Sequence, residues 1–341
     1  MFASSLATPE HIRLAERLGF PRAFVFDSPA IYADPWMTLA RAAERTERIR
    51  LGVAVITPRL RHLLANATAA ATLAALAPGR VEVVVGSGFT SQALLGEKPV
   101  AWSRVEAYVA GLRSLLAGQI IEWDGAPIGL LHAEPIQVTP PGRVPIWVAA
   151  NGPKGCAVGD RVADRVLLAS LRSRPSLKPW GVTFHGTVLD PGEDLSSERV
   201  RLAAGPATAF QLHLGQFGRL AGTPEAARFA ERLAGVDGRV RHLRLHRGHL
   251  IQVQDAERDL ITPEAIRRAT ATGPREEMRA RLDELVSQGC DAVLYQPNGP
   301  DIARELTAFA EVAQPWLAAV PSKRAAAGAG RPARAAAGPR R

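Results

Sequence analysis

Two short segments of this chain carry residues arranged for ligand chemistry. Val85-Gly86-Ser87-Gly88-Phe89-Thr90 ends an apolar run. Glycines at 86 and 88 admit a ligand close to backbone amides, and the hydroxyls of Ser87 and Thr90 add donors. An ordinary strand-to-helix turn is the other reading. Ala150-Asn151-Gly152-Pro153-Lys154-Gly155 leaves a second apolar run. Proline suits the first helical turn, so the free amides there face outward and make an anion site. Lys154 adds a positive charge where a phosphate would sit; a plain capped helix start is the alternative. Asp27 and Ser28 end a third apolar run. Ser28 can hydrogen-bond a ligand but is a poor general acid, and Asp27 acts beside it or fixes the loop as an Asx turn. Trp36 either lines a pocket or packs in its helix. His246-Arg247-Gly248-His249 lacks the Cys or carboxylate partners of a usual metal set. No metal site is expected there, and His249 is read as a pocket residue. Cys156 and Cys290 are too few for a disulfide framework and read as small buried residues.

The elements that must position these residues are legible as apolar runs. Residues 23–26, 51–56, 81–85, 146–149, 166–168 and 292–295 read as strands covered on both faces, as in a parallel sheet. Between them lie amphipathic stretches. Trp102, Val105, Val109, Leu112 and Leu116 recur at three and four residues on one helix face. Thr8-Pro9-Glu10, Thr223-Pro224-Glu225 and Thr262-Pro263-Glu264 read as helix starts, each with a capping hydroxyl, a proline and an acid at the positive end. Asp34-Pro35 is a fourth. Strand alternating with helix over about 320 residues predicts a (β/α)8 TIM barrel. A Gly-x-Gly-x-x-Gly opening the first helix, as in a dinucleotide-binding open sheet, is absent. Residues 171–249 read less clearly and are expected to form an insertion on the C-terminal face.

Composition agrees with a soluble globular chain: 341 residues, 47 % hydrophobic and 22 % charged. The net charge of +9 suggests a nucleic-acid partner until it is located. Six of those charges lie in residues 322–341, which hold no acid and little apolar surface, leaving +3 for residues 1–321. The tail is expected to be disordered and solvated, and nucleic acid is an unexpected partner. With neither an apolar span nor a secretory start in view, a cytoplasmic location is expected.

Several segments, in order, resemble the luciferase-like family of flavin- and deazaflavin-dependent oxidoreductases. They are residues 27–36 (DSPAIYADPW), 46–58 (TERIRLGVAVITP), 78–81 (PGRV), 85–88 (VGSG), 144–153 (VPIWVAANGP) and 289–297 (GCDAVLYQP). Together they span most of residues 10–315, and the nearest subgroup is the one resembling methylene-tetrahydromethanopterin reductase. The resemblance implies a barrel holding coenzyme F420, or alternatively FMN, in its mouth, with a small-molecule substrate and often a homodimer. With F420 the reaction would be hydride transfer. With FMN it would be oxygen insertion, fed by a separate flavin reductase. It implies cofactor contacts for Gly86 to Thr90 and a phosphate-holding role for the loop at Ala150, Asn151, Gly152, Pro153 and Lys154. It implies that Ala54, Val55 and Thr57 lie where the family has a bulge with a non-proline cis bond, by position Ala54–Val55. Many relatives have Asp-His where this chain has Asp27-Ser28, so the imidazole of the family pattern is missing. Only Met1 to Leu6 precede the first helix, so the first strand is expected to be frayed or the chain slightly truncated.

Overall fold

The computed structural model describes residues 1–136, 138, 143–169 and 177–329, with side chains up to residue 319. In chain order the elements are α1 (Thr8–Arg17), β1 (Arg22–Val25), α2 (Pro35–Ala43), β2 (Arg50–Ile56), α3 (Leu63–Leu76), β3 (Val81–Gly86), α4 (Phe89–Ala93) and α5 (Trp102–Leu116). A small hairpin of β4 (Ile121–Trp123) and β5 (Ala126–Ile128) follows, then β6 (Ile146–Ala149), α6 (Pro153–Val162), β7 (Arg165–Leu168) and β8 (Trp180–His185). The last third holds α7 (Glu198–His213), α8 (Pro224–Ala234), α9 (Arg241–Leu245), α10 (Pro263–Ala269), α11 (Arg275–Ser287), β9 (Ala292–Gln296) and α12 (Ile302–Ala329).

Seven strands form one curled, all-parallel sheet in the order β1-β2-β3-β6-β7-β8-β9. All six strands expected from apolar runs are in it. Residues 1 and 2 touch both edges. Phe2 bridges Val25 in parallel, and the Met1 amino group donates to the Tyr295 backbone oxygen at 2.5 Å.

Strand alternation divides the two faces of this sheet. The outer face packs against the helices in one large core that includes Leu51, Val83, Val148 and Val166. The inner face holds a smaller core of Phe24, Ala54, Val84, Trp147, Leu167 and Leu294. Phe24 and Trp147 meet edge to face at 5.7 Å between ring centres. Glycines make room for this pair: a Cβ on Gly52 would lie 2.7 Å from the Phe24 ring, and one on Gly181 would lie 3.2 Å from Trp147. Below the aromatics, buried Glu82 binds Arg22 at 3.1 Å and Arg50 at 2.9 Å, and Arg165 pairs with Asp291. The N-terminal end of the sheet is thus filled by side chains.

Two expectations need correction. Residues 171–249 do not form a single insertion, because β8 lies within them and pairs with both β7 and β9. Its polar Thr183 and His185 hide it from an apolar-run reading. The added layer is helical and lies between β8 and α11. It has its own small cores, one around Val200 and Ile261 and one around Leu212 and Phe229. The basic tail also begins as structure: α12 runs through residues 322–329, and residues 330–341 lie outside the described residues. Among the helix starts, Asp34, Thr223 and Thr262 cap as expected, accepting from Met37, Ala226 and Ala265 amides. Thr8 does not cap; it lies inside α1, accepts from Ser5 N and donates to Ala3 O. No helix among the described residues is long and apolar enough to cross a membrane.

Candidate active site

The site is built from the C-terminal ends of the strands. Continuing the alternation upward from Phe24, Val84, Trp147, Leu167 and Leu294 places Phe26, Gly86, Ala149, Ala169, His185 and Gln296 on the inner side at the mouth. β2 breaks the pattern. Its register against β3 shifts between Ala54 and Ile56, and the Ala54–Val55 bond is cis, at the position the family resemblance implies. This bulge turns Val55 toward Gly86, where a Cβ would lie 3.2 Å from the Val55 methyl. Glycine is required again at Gly88, whose φ is +77° and whose Cβ would fall 2.6 Å from Thr57. Thr57 and Ser91 hydroxyls lie 3.2 Å apart beneath this turn. Ser87 and Thr90 are half-buried and Phe89 is exposed.

Across the mouth, β6 leads through Ala150 and Asn151 into α6. Gly152 is its N-cap, no side chain caps it, and Pro153 opens the helix. A Cβ on Gly152 would meet nothing within 4 Å, so the space above these amides is open. Asn151 Oδ1 accepts from Ala169 N at 2.7 Å, which leaves its N–H groups for a ligand. Lys154 is exposed. The combination of free amides, an amide side chain and a lysine can hold an anion.

Asp27 and Ser28 are both buried. Asp27 does not make the expected Asx turn; the turn there is closed by Ile31 N and Tyr32 N donating to Ser28 O. Instead Arg61 holds Asp27 at 3.4 Å and Asp34 at 2.8 Å. Burial raises the Asp27 pKa, and the guanidinium opposes that rise. Trp36 packs against the outer core and donates its indole N–H to Asn66 at 3.0 Å.

Sequence reading missed four residues here. Gln92, one turn into α4, is fully buried, and neither polar atom of its amide has a partner among the described residues. His185 ends β8 on the inner side with its Nδ1 unpartnered. Burial, then Arg219 and the chain's amino group, lower its pKa to about 4. His213 and Glu257 join His246 and His249 in a buried cluster. His249 reaches the mouth, with Nε2 3.4 Å from the Thr90 hydroxyl and its backbone oxygen accepting from Tyr32 at 2.7 Å.

Known proteins resemble this chain in sequence and fold. Residues 6–292 match the family described as Luciferase-like monooxygenase. The F420-dependent glucose-6-phosphate dehydrogenase of Beutenbergia cavernae is 38 % identical over 178 residues, 47 % of this chain and 52 % of the relative. The 5,10-methylenetetrahydromethanopterin reductase of Methanolobus tindarius is 29 % identical over 167 residues, 48 % of this chain and 50 % of the relative. The chain thus spans about half the length of these curated relatives. The coenzyme F420 dependent tetrahydromethanopterin reductase from Methanopyrus kandleri has the same fold, with a TM-score of 0.69 at 18 % identity over 93 % of this chain and 97 % of the other. With a family match across most of its length and a curled parallel sheet of the same architecture, this chain belongs to the luciferase-like monooxygenase family.

Proposed function

We propose that this chain is an oxidoreductase that holds coenzyme F420 at the mouth of its sheet and transfers hydride between it and a small organic substrate. The observation that carries the reading is the β2 bulge that sets Val55 against Gly86, above a floor filled by Phe24 and Trp147. An apolar shelf beside small residues suits one face of a flat ring system. Gln92 adds one donor and one acceptor that the protein leaves unused, as a ring with polar edges requires. The open α6 N-terminus with Asn151, Gly152, Pro153 and Lys154 suits a phosphate-bearing side chain. In this reading residues 1 and 2 complete the sheet between β1 and β9 and close it as a barrel.

The F420 dependence of the Beutenbergia relative favours a deazaflavin over FMN. A bound deazaflavin supplies two-electron hydride chemistry. The protein's part is to orient and to manage protons. Ser87 and Thr90 present hydroxyls at the mouth, with Thr57 buried beneath them against Ser91. Ser28 cannot act as the general acid of the family pattern. His185 also faces inward at the mouth beside His249, and burial keeps its imidazole neutral near pH 7, so it can accept a hydrogen bond from a substrate hydroxyl.

Fluorescence titration of the purified chain with F420 and with FMN tests the reading. F420 should bind and FMN should not. Gly152→Asp should weaken F420 binding by more than about tenfold with unchanged circular dichroism, since it brings negative charge to the anion position. Tight FMN binding without F420 affinity, together with oxygen uptake, would move the chain to the monooxygenase reading.

A further inference from the structure

We propose that His213, His246 and His249 form a binding site for a divalent transition-metal ion of the zinc class. The three residues come from separate places in the added helical layer: the last turn of α7, the residue after α9, and the turn that follows. All three are buried, at 6 %, 1 % and 4 % exposure. His249 Nδ1 lies 3.2 Å from His213 Nδ1 and 3.4 Å from His246 Nδ1, and a ligand atom from each ring lies within 4.8 Å of the other two. A tetrahedral ion with metal–nitrogen bonds of about 2.0–2.1 Å sets its ligand nitrogens about 3.3–3.4 Å apart. The two measured edges bracket that spacing.

The remaining nitrogens fit the same assignment. His213 Nε2 lies 2.5 Å from a carboxylate oxygen of Glu257, itself 3 % exposed. A carboxylate accepts, so the proton sits on Nε2 and the Nδ1 lone pair faces the cluster. Glu257 is in turn fixed by Gln254 N at 2.9 Å. His249 Nε2 faces the Thr90 hydroxyl, again leaving Nδ1 for the ion. A metal-bound histidine whose second nitrogen is tied to a carboxylate or hydroxyl is the usual outer-shell arrangement. The backbone is bent to make the cluster: Leu250 has φ +55°, which a branched residue rarely adopts, and Gly248 has φ +69° with no room for a Cβ beside Gln254. Three imidazoles leave one position for water or an exchangeable ligand. Because His249 also touches Thr90 and Tyr32, the ion would fasten the helical layer to the mouth.

The full chain, stripped with a chelator and dialysed, tests this by titration with Co²⁺ and with Zn²⁺. One equivalent of Co²⁺ should give the visible bands of a four-coordinate site, and Zn²⁺ should displace it and raise the melting temperature. His246→Ala should abolish both effects. Glu257→Gln, which keeps the shape, should weaken metal affinity by about 10–100-fold. Wild-type protein that shows no visible bands and no rise in melting temperature with either ion overturns the site. So does an equal response in wild type and folded His246→Ala. Neither outcome depends on which flavin-type cofactor the mouth accepts.

Discussion

His185 shows how much a single side chain can owe to its position. Its pKa falls from 6.5 to about 4 chiefly because burial penalises the charged ring. The unfolded chain takes up the proton near pH 6.5, the folded chain only near pH 4. Between these values the unfolded state binds more protons, so stability falls as pH drops from about 6.5 to about 4 and is level above that window. A melting series across pH 4–8 should show this loss, and His185→Gln should flatten part of it; a variant profile that overlays wild type would remove His185 as a cause. Part of the residual slope belongs to the Met1 amino group, lowered to about 5 by burial, and to His11, His246 and His249, whose pKa values burial shifts in the same direction. At this scale the sequence was readable where function follows from a local run. Gly86, Gly88, Asn151 and Gly152 are recognisable because a strand end and a helix start lie within a few residues. His213 was not, because the 33 residues before His246 fold back through α8 and α9 before the two rings meet. Nor was the tie of Asp27 to Arg61, which joins two different strand-end loops.

The elements were legible in proportion to how apolar they are. The six strands read from the sequence are buried on both faces and appear as unbroken runs. β8 has Thr183 and His185 among its six residues because its inner face reaches the mouth, so the residues that serve the site conceal the strand. The hairpin of β4 and β5, with Glu122 and Pro127 in three-residue strands, has no periodicity to read. Helix starts were legible as chemistry but not always as geometry. Thr223 and Thr262 accept from the amide three residues on, whereas Thr8 binds back toward Ser5 and Ala3. Thr262→Ala should therefore cost about 1 kcal/mol by loss of a cap. Urea denaturation should show a lower midpoint with an unchanged slope; an unshifted midpoint would mean the cap contributes nothing.

At the scale of the molecule, the net charge of +9 says little about the site, since only +3 belongs to residues 1–321. The interior says more. Trp147 is fully buried between the arginine–glutamate cluster and the mouth, and its removal would leave a large void. Trp147→Ala should destabilise by about 3–5 kcal/mol. Gly52→Ala should also destabilise, by about 1–3 kcal/mol, because its methyl would press on Glu82 O and the Phe24 ring. Calorimetry on both variants checks this; a Gly52→Ala protein as stable as wild type would show that the aromatic pair has slack. The filled floor has a kinetic consequence. In the proposed reading, a coenzyme ring seated at the Ala54–Val55 shelf is approached from the mouth, because side chains fill the other end of the sheet. A substrate of the proposed enzyme would then arrive second and depart first, and steady-state turnover should follow a compulsory order in which excess substrate hinders the exchange of spent coenzyme.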